Sequence, residues 1–390
     1  IFGKDARATL TRGMRAAIAY GRKEMSHPII EYLRTNDVKS LEAIGVYARW
    51  STKNPKKLSL NYDQIEAKNG DVLVEHCRGL VIEQTTGEHG GAGEYRVLAW
   101  PFRRFYNLGS AFCPPMDWST AVFEEKMDGT LCIVYYDWTL REWCVATRSV
   151  PDADVPTING PTFAELFWKH TRDKYFYYGT TYLYELVGPG NQIVLPYEEW
   201  ATVLLAEVDN KNGRVSPGNA KTMPFVDLVA AQKWLNAQPG TATEGFVVRD
   251  GSGNRVKIKS AQYLALAKVM TSVGSPAGMV RIVLSGTHDD VLPFIPEVRK
   301  LELSNCAERM RLFAIDMDAR VAALLPITDR KEFAQTAMKD PILKVWSGYA
   351  FARFTKKCAS FSEWLQSNDC MKNGEHTQSL LNRLIETLGV

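Results

Sequence analysis

The sequence predicts an α+β protein, with antiparallel sheets and flanking helices first and an all-α C-terminal domain after them. Three observations carry this expectation. From about 121 to 260, short runs rich in Val, Tyr and Phe are bounded by Gly, Pro, Asp or Asn, the punctuation expected of strands. After Tyr263 the texture changes: Ala, Leu, Arg, Lys and Glu dominate, and apolar residues recur at helical spacing, as in Leu380, Leu381, Leu384, Ile385 and Leu388. Finally, 390 residues exceed the size, about 250 to 300, at which a single core stops growing.

Taken in order, the chain first alternates short helical and strand-like pieces, with the PKK tract at 55–57 and HGGAG at 89–93 as loops. Strands are expected at 122–128, 131–136, 143–147, 181–187, 202–208, 245–249 and 255–258, with GSGN at 251–254 as a tight hairpin turn. Helices are expected at 161–175 and 226–237. The first domain is placed at 1–268, its core motifs in 111–268 and further elements in 1–110, and the all-α domain at 269–390. No internal repeat or low-complexity segment is present.

With 45% hydrophobic and 23% charged residues the composition is that of a soluble globular protein, and a net charge of +3 is too small to announce nucleic-acid binding. Residues 1–60 are locally basic, with twelve Lys or Arg against five Asp or Glu, which suits either a phosphate-facing surface or a solvated helical face. The seven cysteines form no CxxC pair and the histidines no HExxH, so reduced thiols in a cytoplasmic protein are expected. No apolar run reaches about 18 residues and the N-terminus has no hydrophobic signal region, which predicts an unsecreted protein without membrane association.

One stretch raises a chemical question. FEEKMDGTL, at 123–131, lodges Lys126 between carboxylates and a glycine at a half-buried strand. A lysine amine is nucleophilic only when neutral, and nearby positive charge or desolvation drives it toward that state. VKIKS at 256–260 supplies such neighbours, because period-2 alternation puts Lys257 and Lys259 on one face of a strand. Two lysines side by side call for an anion between them, and a phosphate is the obvious one; solvent-facing lysines on an edge strand are the plainer alternative. Glu185 and Glu244 each sit at a strand among apolar neighbours, where acids need partners. Two acids beside three lysines suit a divalent cation, a ribose and a phosphate chain.

KMDG at 126–129 matches the KxDG nucleophile motif of the covalent nucleotidyltransferases, the superfamily of DNA ligases, RNA ligases and mRNA capping enzymes. The ordered succession with YELVGPGNQIVLPY, EGFVVRD and VKIKS makes the match specific. CRGLVIE at 77–83 and RRFYNLGS at 103–110 resemble the upstream layout of the T-even phage RNA ligase 1 family, where an arginine and a KFFN-like motif precede the nucleophile. SGTHDDVLPF at 285–294 resembles a segment that follows the last motif of that family. DNA ligases and capping enzymes would instead continue into a β-rich OB-fold, and no such pattern follows here.

The resemblance implies a nucleotidyltransferase (ATP-grasp-like ligase) domain and an ATP-dependent RNA ligase, with Lys126 as the residue that becomes Lys-AMP. It further implies that Gly129 permits close backbone approach, that Asp128 orients the loop or a metal-bound water, and that Glu185 binds the ribose hydroxyls. Glu244 would help hold the metal, with Asp289 as a second acid, and Lys257 and Lys259 would contact the α-phosphate. Arg78 matches a phosphate-contacting arginine, Arg104 stands where the family more often has lysine, Arg148 replaces a family lysine, and Tyr263 matches an aromatic after the lysine pair. Cofactors implied are ATP and Mg²⁺, with Mn²⁺ as a substitute; partners are RNA ends bearing 5′-phosphate and 3′-hydroxyl, including tRNA cut in the anticodon loop, joined by a monomer. Two other readings stay open: a nick-sealing RNA or DNA ligase of the same superfamily, and a non-catalytic nucleic-acid-binding relative.

Overall fold

Short strand-forming runs between residues 46 and 259 become three sheets in the computed structural model, which describes residues 27–157, 160–171, 174–191, 193–367 and 375–390. Residues 1–26 of the basic N-terminal stretch, positions 172–173 of the expected helix, Gln192 and Cys370 lie outside the described residues. The protein is mixed α+β, with mostly antiparallel sheets followed by helices. It divides after Ser260 into two compact units, ahead of the boundary expected at 268. None of the described helices is long and apolar enough to cross a membrane.

In the first unit, β1 (Val46–Trp50), β2 (Lys57–Tyr62), β3 (Arg78–Gln84) and β4 (Tyr95–Ala99) form a four-stranded sheet in chain order. β2 begins inside the tract read from sequence as a loop. Lys57 has no exposed surface and pairs with Asp137 at 2.9 Å and Asp152 at 2.7 Å. Desolvation by itself would lower this ammonium, but Cys144, Asp152 and Asp137 outweigh it and hold the group above its ordinary range. A buried lysine with two carboxylates is tolerated because its charge is answered on the spot.

The second sheet runs β11-β10-β9-β7-β8, from β7 (Thr130–Asp137), β8 (Glu142–Thr147), β9 (Thr180–Val187), β10 (Ala201–Asp209) and β11 (Val215–Pro217). Its centre is covered on both faces, which is why β7 reads as a nearly continuous apolar run. Cys132 and Val134 pack toward Leu166 and Phe167 of the helix Phe163–His170, while Ile133 and Tyr135 pack with Leu98 and Trp100. That helix is started by a capping box between Thr162 and Glu165.

The third sheet, β12-β6-β13-β14-β5, positions the lysines; its strands are β5 (Tyr106–Asn107), β6 (Val122–Glu125), β12 (Thr222–Met223), β13 (Gly245–Arg249) and β14 (Arg255–Lys259). Phe123, Phe246, Val248, Val256 and Ile258 form its apolar face against Ala231 and Leu235 of the helix Leu228–Ala237. β6 stops at Glu125, short of the expected 128, because the chain leaves for the second sheet; the Lys126 N–H still donates to Gly245 O at 2.9 Å.

The second unit is helical from Ala261, earlier than the expected onset near 270. Its long helix, Glu297–Leu324, buries Leu303, Cys306, Met310, Ala314, Met317 and Val321 against Trp346, Tyr349 and Phe361. The six described cysteines are free.

Candidate active site

Strand register explains how residues far apart in sequence meet. Antiparallel pairing sets Phe246 opposite Glu125 and Gly245 opposite Lys259, so the end of β6, the start of β13 and the end of β14 share one edge. At that edge Glu244, only 3% exposed, reaches Lys126 Nζ with Oε2 at 2.7 Å and Lys259 Nζ with Oε1 at 2.8 Å. On β14 the burial alternates, with Val256 and Ile258 inside and Lys257 and Lys259 together on the other face, as period-2 geometry requires.

Lys257 is the most perturbed of the lysines. Removal from water, followed by Arg78, Lys259, Lys126 and Arg104, lowers its ammonium to about 8. Ring contacts add further neighbours. Phe105 lies under both Arg78, at 5.3 Å, and Lys257, at 5.5 Å, while Tyr62 lies under Arg104 at 4.2 Å and Arg148 at 5.9 Å. Desolvation depresses the buried Arg78 guanidinium; Tyr62 and Glu185 pull it back up, and Arg148 depresses it further. Nη1 of Arg78 and of Arg104 is buried with no hydrogen-bond partner among the described residues.

Glu185 projects from β9, opposite Leu131 of β7. Burial raises its carboxyl to about 7 against the pull of Lys126 and Arg78, and Glu244 and Asp128 add to the rise. The loop Lys126–Gly129 carries the chain from the third sheet to the second. A Cβ on Gly129 would lie 2.3 Å from Leu186 O, so a side chain there would force β7 away from β9. Asp128, 2% exposed, spends both oxygens on backbone amides: Ile193 at 3.1 Å, Val194 at 2.7 Å and Leu195 at 2.9 Å. Its own N–H donates to the Tyr197 hydroxyl at 3.1 Å. Asp128 therefore anchors the segment after β9.

Lys126, Asp128, Glu185, Glu244, Lys257, Lys259, Arg78, Arg104 and Arg148 thus form one connected cluster. Tyr263 lies on the helix Ala261–Val273 of the second unit. Asp289 belongs to that unit as well, with an 83% exposed side chain near His288 Nε2 at 3.5 Å. Sequence reasoning missed Tyr62, Phe105 and Tyr197 as supports; Phe105 and Tyr197 were inside quoted motifs, but nothing local marked Tyr62. So many half-buried cations around so few acids are costly unless a polyanion completes them. An amine 2.7 Å from a carboxylate, beside that anion site, has the parts for nucleophilic attack on a phosphate.

No protein-family model matches the chain. It is 27% identical over 275 residues to a protein of Autographa californica nuclear polyhedrosis virus named as a bifunctional polynucleotide kinase/RNA ligase, covering 62% of this chain and 38% of that protein. It is also 27% identical over 345 residues to an RNA ligase of Rhodothermus phage RM378, covering 67% of this chain and 76% of that protein. Among solved structures, two forms of an archaeal ATP-dependent RNA ligase are distant likenesses. The first form has 16% identity and a TM-score of 0.38 over 65% of this chain and 68% of that one. The second has 14% identity and a TM-score of 0.39 over 80% and 90%.

Proposed function

We propose that this chain, a sequence relative of phage and baculovirus RNA ligases within the covalent nucleotidyltransferase superfamily, is itself an ATP-dependent RNA ligase with that superfamily's catalytic domain in its first unit. The observation that carries the reading is the Glu244 carboxylate set between Lys126 and Lys259, at the edge of a cluster of Lys257, Arg78, Arg104 and Arg148.

In the first step Lys126 Nζ bonds to the α-phosphorus of ATP, the bond from that phosphorus to the bridging oxygen breaks, and pyrophosphate leaves. Glu244 Oε2, 2.7 Å from the amine, is placed to take its proton. Lys257 and Lys259 meet the negative charge at the α-phosphate, the arginines hold the rest of the triphosphate, and Glu185 takes the ribose hydroxyls. AMP next passes from Lys126 to a 5′-phosphate RNA end. A 3′-hydroxyl then attacks the activated phosphate and AMP leaves.

The donor set fits a divalent cation held partly by substrate. Among the described residues no three His, Cys, Asp or Glu form a protein-only cage, and Mg²⁺ is commonly bound by one or two carboxylates with substrate phosphates completing the shell. Glu244 would hold it, Asp289 being added by sequence resemblance alone, and the ion would supply charge neutralisation at phosphate oxygens. A monomer acting on tRNA cut in the anticodon loop is the finer form of the reading, carried by the same resemblance. Incubation with ATP labelled at the α-phosphate tests the proposal. A covalent adenylate in the wild type that Lys126→Ala abolishes is expected; no adenylate in the wild type, or its survival in Lys126→Ala, overturns it.

A further inference from the structure

Beside the lysine cluster, and sharing Arg104 and Phe105 with it, the first unit holds a cavity of about 630 Å³ whose other lining residues have no part in the adenylylation step above. Pockets for small ligands commonly measure about 300–1,000 Å³, so there is room for one or two nucleotides. Trp100, Phe102, Tyr106 and Phe112 give it aromatic walls, and Arg103, Arg104, Arg249 and Arg255 outnumber the acids of the lining, Glu75 and Asp250.

The arginines are not equivalent. Arg103 is matched by Glu75 at 3.1 Å and Arg249 by Glu124 at 2.6 Å. Arg104 and Arg255 make no ion pair among the described residues; Arg104 keeps a buried, unpartnered Nη1, and Arg255 has a 3.4 Å hydrogen bond to Gly253 O. Both guanidinium groups lie over rings, Arg104 over Tyr106 at 5.0 Å and Arg255 over Phe102 at 4.7 Å. Stacking of this kind occupies the flat face of the group and leaves its edge donors for an anion. His76, also in the wall, has a buried Nδ1 without a partner; burial and then Arg103 lower its imidazole to about 4, so it is neutral at pH 7 and able to meet a polar base edge.

Position supplies the second argument. Arg255 shares its face of β14 with Lys257 and Lys259, since the register pairs Arg249 with Arg255, Val247 with Lys257 and Gly245 with Lys259. Same-face neighbours on a strand are about 6.7 Å apart, comparable to the distance between adjacent phosphates of an extended single strand. A row of cations therefore leads from the amine at Lys259, beside Lys126, into an aromatic cavity.

We propose that this cavity receives the first nucleotides of the single-stranded 5′-phosphorylated RNA, with phosphodiester oxygens on Arg255 and, once pyrophosphate has left, on Arg104, and with unpaired bases against the exposed ring of Phe112 and the outer faces of the stacked guanidinium groups. The strand must be single, because only unpaired bases can stack on side chains in this way. This assignment rests on the RNA-ligase reading above. Two measurements test it. In the first, Lys126→Ala protein, which performs no chemistry, is compared with Lys126→Ala/Arg255→Gln for retention of a short 5′-phosphorylated single-stranded RNA across salt concentrations. The Arg255 change is expected to weaken binding about 10- to 100-fold and to flatten the salt dependence by about one phosphate contact.

In the second, Arg255→Gln in the otherwise wild-type chain is expected to form the Lys126 adenylate from labelled ATP at the wild-type rate. It should need a higher RNA concentration for AMP transfer in a single turnover, with Arg255→Lys recovering part of the loss. RNA affinity unaffected by the Arg255 change overturns the proposal, as does adenylate formation that falls as far as transfer does, which would put the cavity on the ATP side. A wild type that forms no adenylate at all strikes the ligase reading instead, and the binding comparison still decides the cavity.

Discussion

One carboxylate, that of Glu244, separates two amines: Lys126 Nζ lies 2.7 Å from one oxygen and Lys259 Nζ 2.8 Å from the other. With Lys257 on the same face of β14, removing this anion leaves three lysine side chains confronting one another. Glu244→Gln preserves the shape and deletes the charge. It is expected to cost about 3 kcal/mol in denaturant unfolding at low salt, the scale of a broken, largely buried ion pair, and less at high salt, because the lysines keep contact with solvent. The same variant should lose the covalent adenylate. An unfolding curve matching the wild type at low salt would contradict the claim that Glu244 holds the lysines together.

Proton linkage gives a test that is independent of turnover. Burial, then the nearby Arg78, Lys259, Lys126 and Arg104, bring Lys257 to about 8. A triphosphate in the cluster favours the charged amine and raises that value. ATP binding near pH 8 should therefore take up a proton, and affinity should fall as pH rises through about 8, where the free amine is neutral and charging it costs binding energy. Calorimetry in two buffers with different ionisation enthalpies measures the uptake directly. Lys257→Met is expected to remove it, and an unchanged uptake in that variant would assign the proton elsewhere.

Glu185 provides a stability test of opposite origin. Burial raises its carboxyl from 4.5 to about 7, with Lys126 and Arg78 pulling the other way and Glu244 and Asp128 reinforcing the rise. Because the folded value exceeds the unfolded one, the group's contribution is complete below about 4.5 and is lost as pH rises through about 7. Glu185→Gln removes this loss. Thermal unfolding at pH 5 and pH 8.5 should show the variant gaining on the wild type at the higher pH; equal differences at both would mean that Glu185 is ionised in the folded protein throughout.

How far the sequence could be read follows from what kind of information each feature needs. Lys257 and Lys259 share a face by period-2 alternation, a purely local fact, and the order of the motifs around Lys126, Glu185 and Glu244 is a property of the chain itself. The end of β6 at Glu125 was not legible, because nothing between Glu125 and Lys126 breaks a strand and only the crossing to β7 ends the ladder. Lys57 was misplaced for a related reason. Pro and paired lysines look like a turn, whereas the partners that bury it, Asp137 and Asp152, come from another sheet and its following loop. Tyr62 under Arg104 and Arg148 is likewise a product of tertiary packing, with no local sign. The sheets were predictable as strands, but their division into three and the parallel pairing of β14 with β5 were not.

Asp128 offers the sharpest separation between holding a loop and doing chemistry. Oδ1 accepts from the Ile193 amide and Oδ2 from the Val194 and Leu195 amides, so both oxygens are committed to one short segment. Asn at this position keeps a single oxygen and turns an NH₂ toward amide donors, so at least one of the two sets must break. Hydrogen bonds to a charged acceptor contribute about 1.5–3 kcal/mol each. Amides of at least one set, Ile193 or the pair Val194 and Leu195, should then exchange with solvent about tenfold faster or more in Asp128→Asn, while those of β9, held by the ladders to β7 and β10, stay unchanged. The Lys126–Glu244 pair, built on the third sheet, does not need this anchor, whereas Glu185 and the Gly129 crossing lie beside it on the second. Adenylate formation should therefore drop because the two halves of the site lose their alignment. If exchange at 193–195 is unaltered while adenylate formation falls, Asp128 acts on the nucleotide or its metal directly, and its part in the loop is incidental.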